Sequence, residues 1–158
     1  MGTLIRLAEA GDLSRIRQLR SDVCRELYAT VLAPSTLESL DPATVTALWS
    51  QFITRGADYV QHVALVGDEI AGFVGVGAGR EPGYELGREL YFIVVAPEYR
   101  RTAVGKALLK HADVDYLWVA ESNRSAQAFF RKQKYFPDSV ARTGSLFGTV
   151  VPELRMAR

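Results

Sequence analysis

Two nearly unbroken apolar runs constrain this chain most. They are Leu90-Tyr91-Phe92-Ile93-Val94-Val95 and Tyr116-Leu117-Trp118-Val119. Runs this short and this apolar suit strands buried on both faces. Between them Val104, Ala107, Leu108, His111 and Ala112 recur at helical spacing, so 103–112 is expected as a helix. Strand, helix and strand in that order imply a parallel pair joined by a right-handed crossover.

The flanking segments read more simply. Ile5, Arg6 and Leu7 form a strand candidate. Leu13, Ile16, Leu19, Val23 and Leu27 keep a 3.6-residue period, which predicts a helix over 12–28. A loop with Pro34 follows. Asp41-Pro42 reads as N-cap and first helical position, and Val45, Leu48, Trp49, Phe52 and Ile53 carry a second helix over 42–55, with Gly56 as its stop. Strands are expected over 60–66 and 70–78, joined by a turn at Gly67-Asp68-Glu69. The second holds Gly72, Gly75 and Gly77 and is followed by Gly79, a pattern that demands a close neighbour. A helix over 123–133 and an antiparallel pair over 139–142 and 149–156 close the chain. No linker or repeat divides it, so residues 1–158 read as one domain of mixed α and β structure.

Composition excludes several classes. Apolar residues make up 48% and charged residues 23%, which argues against disorder. Nineteen basic residues face 18 acidic ones, so nothing favours a nucleic-acid or membrane-surface binder. No apolar run spans a bilayer and no secretory leader is evident, so a cytoplasmic protein is expected. Cys24 has no disulfide partner and reads as a structural thiol on the first helix. His62 and His111 are isolated in sequence, so no metal is expected.

The chemistry concentrates where the first apolar run ends. Pro97 stops the strand, Arg100 and Arg101 make a basic loop, and a helix opens on small residues, Ala103 and Gly105, with Lys106 beside them. The first N–H groups of a helix lack internal partners and carry partial positive charge. Small side chains let a ligand approach that backbone. This is an anion site, and a diphosphate is its natural occupant.

These residues resemble the GNAT superfamily of acyl-CoA-dependent N-acyltransferases. Val95-Ala96-Pro97 followed by Arg100, Ala103 and Gly105 is similar to the family's Val-x-Pro and [Arg/Gln]-x-x-Gly-x-[Gly/Ala] motif. Leu117-Trp118-Val119, Asn123, Ala126 and the stretch Phe129 to Tyr135 are similar to its second block. The resemblance implies a GNAT fold. That is a mixed, mostly antiparallel twisted sheet of about six or seven strands with about four helices, whose two parallel strands splay into a V around acyl-CoA. It implies an N-acetyltransferase that uses acetyl-CoA, acts on a primary amine by direct attack, and favours a homodimer, with the strand over 149–156 as an edge. A catalytically weak acyl-CoA sensor of the same fold is the alternative.

The resemblance also implies roles. Arg101, Thr102, Ala103, Val104, Gly105 and Lys106 would carry the diphosphate, with Arg100 adding charge. Ile93, Val94 and Val95 would pair with the pantetheine arm, and the Val94 amide would be the oxyanion donor. Asn123 would reach the pantetheine arm, although Asn also suits an N-cap. Glu89, eight residues before Pro97, is the candidate base, with Glu85 as runner-up. Tyr28 and Tyr91 are expected near the acceptor, and Trp49, Phe52 and Tyr59 are core or acceptor pocket. Phe130 falls where the family carries its tyrosine acid, against the cofactor, and cannot donate a proton. The thiolate then leaves unaided, or Tyr91 or Tyr99 serves. Ala103 in place of the middle glycine tightens the loop.

Overall fold

The computed structural model describes residues 2–41, 43–44, 47, 58–83, 87–146 and 148–158. Its strands are β1 (Thr3–Leu7), β2 (Val60–Val66), β3 (Glu69–Ala78), β4 (Arg88–Val95), β5 (Tyr116–Ala120), β6 (Phe136–Leu146) and β7 (Thr149–Ala157). They form one sheet in the order β1-β2-β3-β4-β5-β7-β6. Among the described residues only β4 and β5 run parallel. Among the described residues the helices are α1 (Leu13–Tyr28), α2 (Pro34–Glu38), α3 (Val104–Ala112) and α4 (Arg124–Lys132).

The two faces have separate cores. Ile16 and Leu19 of α1 bury against Phe73, Phe92 and Val94 on one face. On the other, Val104, Leu108 and Ala112 of α3 and Phe130 of α4 bury against Val74, Leu90 and Leu117. The helical and strand periods therefore meet in a three-layer arrangement, with the sheet in the middle.

The glycines of β3 make room for β4. A Cβ on Gly75 would lie 2.4 Å from the Phe92 ring, and one on Gly77 would lie 2.5 Å from the Tyr91 hydroxyl. A register shift sets Gly75 and Val76 opposite Phe92 and Leu90, so Tyr91 is the extra residue of a bulge. Two aromatic rings can thus lie flat on β3.

Some expectations change. The segment read as a loop around Pro34 contains α2, which starts at that proline. Most of the helix expected over 42–55, including Trp49 and Phe52, lies outside the described residues, as do Glu85 and the side chain of Cys24. β7 is sandwiched between β5 and β6, so it offers no edge to a second copy; the edge strands are β1 and β6. Among the described residues no helix is long and apolar enough to cross a membrane.

His62 and His111 are not isolated in space. Their rings meet edge to face at 4.5 Å and link β2 to α3. Among the described residues no group of three or more metal-ligating side chains forms. Burial holds the His62 pKa below its ordinary value of 6.5, and the nearby His111 and Arg88 add to that effect. The neutral form is the one the fold accepts. Its contribution is complete above pH 6.5 and is lost as pH falls through that value towards the lower folded-state pKa. Unfolding midpoints measured from pH 8 to pH 5 should therefore drop on the acid side, and His62→Gln should flatten that drop.

Candidate active site

β4 and β5 are hydrogen-bonded neighbours over a short stretch. Glu89 pairs with Tyr116 and Leu90 with Leu117, and no later pair follows, although β4 runs on to Val95 and β5 to Ala120. The strands part into a V. On its other side β4 stays bonded to β3, with the Ala96 N–H donating to the Ala71 carbonyl at 2.9 Å. Alternation along a strand then turns the Val94 peptide towards β3 and those of Ile93 and Val95 towards the gap. The Val94 carbonyl oxygen lies 2.5 Å from where a Cβ on Gly72 would stand, on the β3 side. The expectation that the Val94 amide faces the gap is therefore corrected to Ile93 and Val95.

The loop after β4 prepares an open helix end. Pro97–Tyr99 forms a 3-10 turn, and Arg101 takes a left-handed conformation with φ of 62°. The Thr102 hydroxyl donates to the Tyr99 carbonyl at 2.5 Å and accepts from the Val104 N–H at 3.3 Å, so it ties the turn together. Ala103 caps α3 without a side-chain hydrogen bond, so apart from the Val104 N–H, which donates to Thr102, the first turn's amides are left to another partner. A Cβ on Gly105 would meet Phe129 at 3.4 Å and Val95 at 3.5 Å. Gly105 thus stands where β4, α3 and α4 converge. Arg101 and Lys106 are exposed beside it. Arg100 instead reaches α1 and pairs with Glu26 at 2.7 Å.

Asn123 caps α4, its side-chain oxygen accepting from the Ala126 N–H at 3.1 Å. Phe130 is buried in the core beside Tyr135, and the ring beside Gly105 is Phe129. Three tyrosine hydroxyls are committed. Tyr135 donates to the Val114 carbonyl, Tyr91 to the Ala78 carbonyl and Tyr99 to the Glu69 carboxylate. Burial also raises the pKa of Tyr135 and Tyr91. Tyr28 is buried with Leu32 where the α1–α2 connection meets Leu146 of β6.

Glu89 is buried, at 1% exposure, and carries an ion pair. Arg80 reaches it through Nη2 at 2.7 Å and Nε at 3.1 Å, and the Arg80 backbone N–H and the Tyr116 hydroxyl both donate to Oε2 at 3.1 Å. The partner is Arg80, not the neighbouring Arg88. The Arg80 guanidinium also stacks on Tyr91 at 4.1 Å.

A cleft between two parting parallel strands, with an uncapped helix end behind it, is the arrangement the motif implied. The family model for the acetyltransferase (GNAT) domain matches residues 57–135, half of the chain. The chain belongs to the GNAT acetyltransferase family. Solved structures of this family share its fold. The PaiA N-acetyltransferase of Thermoplasma acidophilum, in complex with coenzyme A, aligns with a TM-score of 0.65 at 17% identity, over 97% of this chain and 98% of its own. A ribosomal-protein-alanine N-acetyltransferase from Brucella melitensis gives 0.65 at 21% identity, over 98% of both chains. Arabidopsis thaliana NAA60, in complex with a bisubstrate analogue, gives 0.67 at 16%, over 99% of this chain and 97% of its own. No curated protein sequence matches this GNAT chain.

Sequence reasoning missed two clusters. One is Arg80 with Glu89 and Tyr116. The other is Arg142, which stacks on Trp118 at 4.1 Å and pairs with Glu81 and Glu153. Neither has a local motif. Arg80 meets Glu89 because the Gly79 N–H bonds to the Gly87 carbonyl at the end of the β3–β4 hairpin. Arg142 meets Glu153 because they are ladder partners on β6 and β7.

Proposed function

We propose that this GNAT domain transfers an acetyl group from acetyl-CoA to a primary amine by direct attack in a ternary complex. The observation that carries the reading is the gap between β4 and β5, with Ile93 and Val95 turned into it and the uncapped end of α3 beside Gly105. The residues present fit the co-substrate. The α3 amides, with Arg101 and Lys106, take the diphosphate. The Val95 peptide pairs with the pantetheine arm, and the Ile93 N–H points to where the thioester oxygen gains charge. The unprotonated amine attacks the thioester carbon, the C–S bond breaks, and the sulfur leaves as thiolate. Water receives the amine proton, because Glu89 is already engaged by Arg80 and Tyr116. Glu89 is then a positioning residue that fixes Arg80 over Tyr91.

A second reading, an acyl-CoA sensor with weak catalysis, is favoured by those engaged hydroxyls and by Glu89. One experiment separates them. Acetyl-CoA at a hundred times its Kd stabilises a folded binder by about 2.7 kcal/mol. For a domain of this size that is a rise of roughly 5–10 °C in the unfolding midpoint. Release of CoA thiol in the presence of amines then marks the enzyme. A shift without thiol release would indicate the sensor. No shift at millimolar acetyl-CoA would sink both readings.

A further inference from the structure

Away from the gap, two imidazoles come together where β2 meets the last turn of α3. Val74 is the ladder partner of His62 and is buried in the core under α3, so His62 stands on the α3 side of the sheet. His111 lies in the last turn of α3. The ring centroids are 4.5 Å apart and the ring planes cross at 71°. His62 is half-buried and His111 is exposed.

One atom of the pair is unsatisfied. His62 Nδ1 is buried and has no hydrogen-bond partner. Gln61 Nε2 and Trp118 Nε1 are also buried without partners, but amide and indole nitrogens only donate. A neutral imidazole keeps a lone pair on one of its nitrogens, and on a nitrogen that no donor reaches this lone pair is free for a metal ion. Burial favours the neutral form of His62, the form that binds metal. The exposed ring of His111 supplies a second ligand and a route from solvent.

Geometry narrows the ion. A metal about 2.0–2.1 Å from an imidazole nitrogen stands about 3.2 Å from the ring centroid. Two rings at a right angle about that metal have centroids about 4.5 Å apart, and at the tetrahedral angle about 5.2 Å. The observed 4.5 Å matches the right angle of tetragonal Ni²⁺ or Cu²⁺ rather than tetrahedral Zn²⁺. Charge narrows it too. Arg88 lies near enough to disfavour protonated His62. Of the nearby carboxylates, Asp113 is held by Arg158, and Asp115 accepts from the Arg88 N–H at 2.7 Å. Among the described residues no carboxylate completes a group of three with the pair. A hard cation such as Mg²⁺, which requires oxygen ligands, is therefore not served.

We propose that His62 and His111 form a two-imidazole site for a tetragonal divalent transition ion, Ni²⁺ or Cu²⁺, that fastens β2 to the end of α3, with water filling the remaining positions.

The test titrates the full chain with NiCl2 in a calorimeter at about pH 7.5, where imidazoles are neutral, and records the electron paramagnetic resonance spectrum of the Cu²⁺ complex. The expected result is saturable binding of one Ni²⁺ per chain, no binding of Mg²⁺, and a Cu²⁺ spectrum with two equatorial nitrogens. His111→Gln and His62→Gln should each weaken Ni²⁺ binding by about tenfold or more, since even groups behind the ligands are worth about 10–100-fold. His111 is exposed and glutamine suits a helix, so His111→Gln should keep its metal-free unfolding midpoint and carry the test alone if His62→Gln folds poorly. Wild-type affinity in His111→Gln would place the ion elsewhere and overturn the proposal. So would a spectrum with a single nitrogen, or no saturable binding up to millimolar NiCl2.

Discussion

Glu89→Ala should lower the midpoint of thermal unfolding by roughly 10 °C. The carboxylate is 1% exposed and collects the Arg80 guanidinium, the Arg80 N–H and the Tyr116 hydroxyl. Taking away one member of a buried pair costs about 3–5 kcal/mol, mainly because the other charge stays desolvated. In a domain of about 150 residues each kcal/mol moves the midpoint by about 2–4 °C. Glu89→Gln should cost about half as much, since an amide oxygen can still accept from Arg80 while the charge is gone. The same variant decides the role in transfer. A general base would lose two to four orders of magnitude in kcat. A positioning residue would lose stability first and keep kcat within about tenfold, with an unshifted pH profile. Differential scanning calorimetry beside a thiol-release assay reads both. Unchanged stability with a collapsed kcat would restore Glu89 as the base.

The network also explains which parts of the molecule were legible in the sequence. β2 was readable end to end because alternation and a Gly67 turn bound it, and Gly67 does take a positive φ of 61°. The parallel pair was readable because buried strands have no polar face to disguise them. The helix end at Ala103 was readable because proline, small residues and cationic side chains lie within a few positions of one another. Pairings set by register were not readable. Tyr91 falls in a bulge, which reverses the backbone alternation along β4. The resemblance to the family named Val94 as the amide in the gap, whereas the ladder, set by the Ala96–Ala71 hydrogen bond, turns Ile93 and Val95 there. Arg100 followed the same logic. It occupies the motif position, yet it pairs with Glu26, a residue distant in sequence that α1 brings beside the loop. Phe130 was assigned by position in a block, but the period of α4 turns it into the core and leaves Phe129 beside Gly105.

Gly105→Glu should abolish the stabilisation that acetyl-CoA gives the wild type. The glycine sits in the first turn of α3, where a Cβ meets Phe129 at 3.4 Å and Val95 at 3.5 Å. Those distances are ordinary van der Waals contact, so Gly105→Ala should fold and, being a better helix former, should lose no stability to backbone effects. It then serves as the packing control. A glutamate at the same position carries its carboxylate to the end of the helix that the diphosphate needs. Two anions would compete for the same N–H groups and the same dipole, and their repulsion is strong where water is partly excluded. An effective dielectric near 20 and a separation near 4 Å give about 4 kcal/mol, close to a thousandfold in affinity. Titration to millimolar acetyl-CoA should then move the Ala variant's midpoint and leave the Glu variant's where it began. If the Glu variant folded and still bound acetyl-CoA with wild-type affinity, the diphosphate would have to lie somewhere other than the start of α3. The roles given to Arg101 and Lys106 would fall with it.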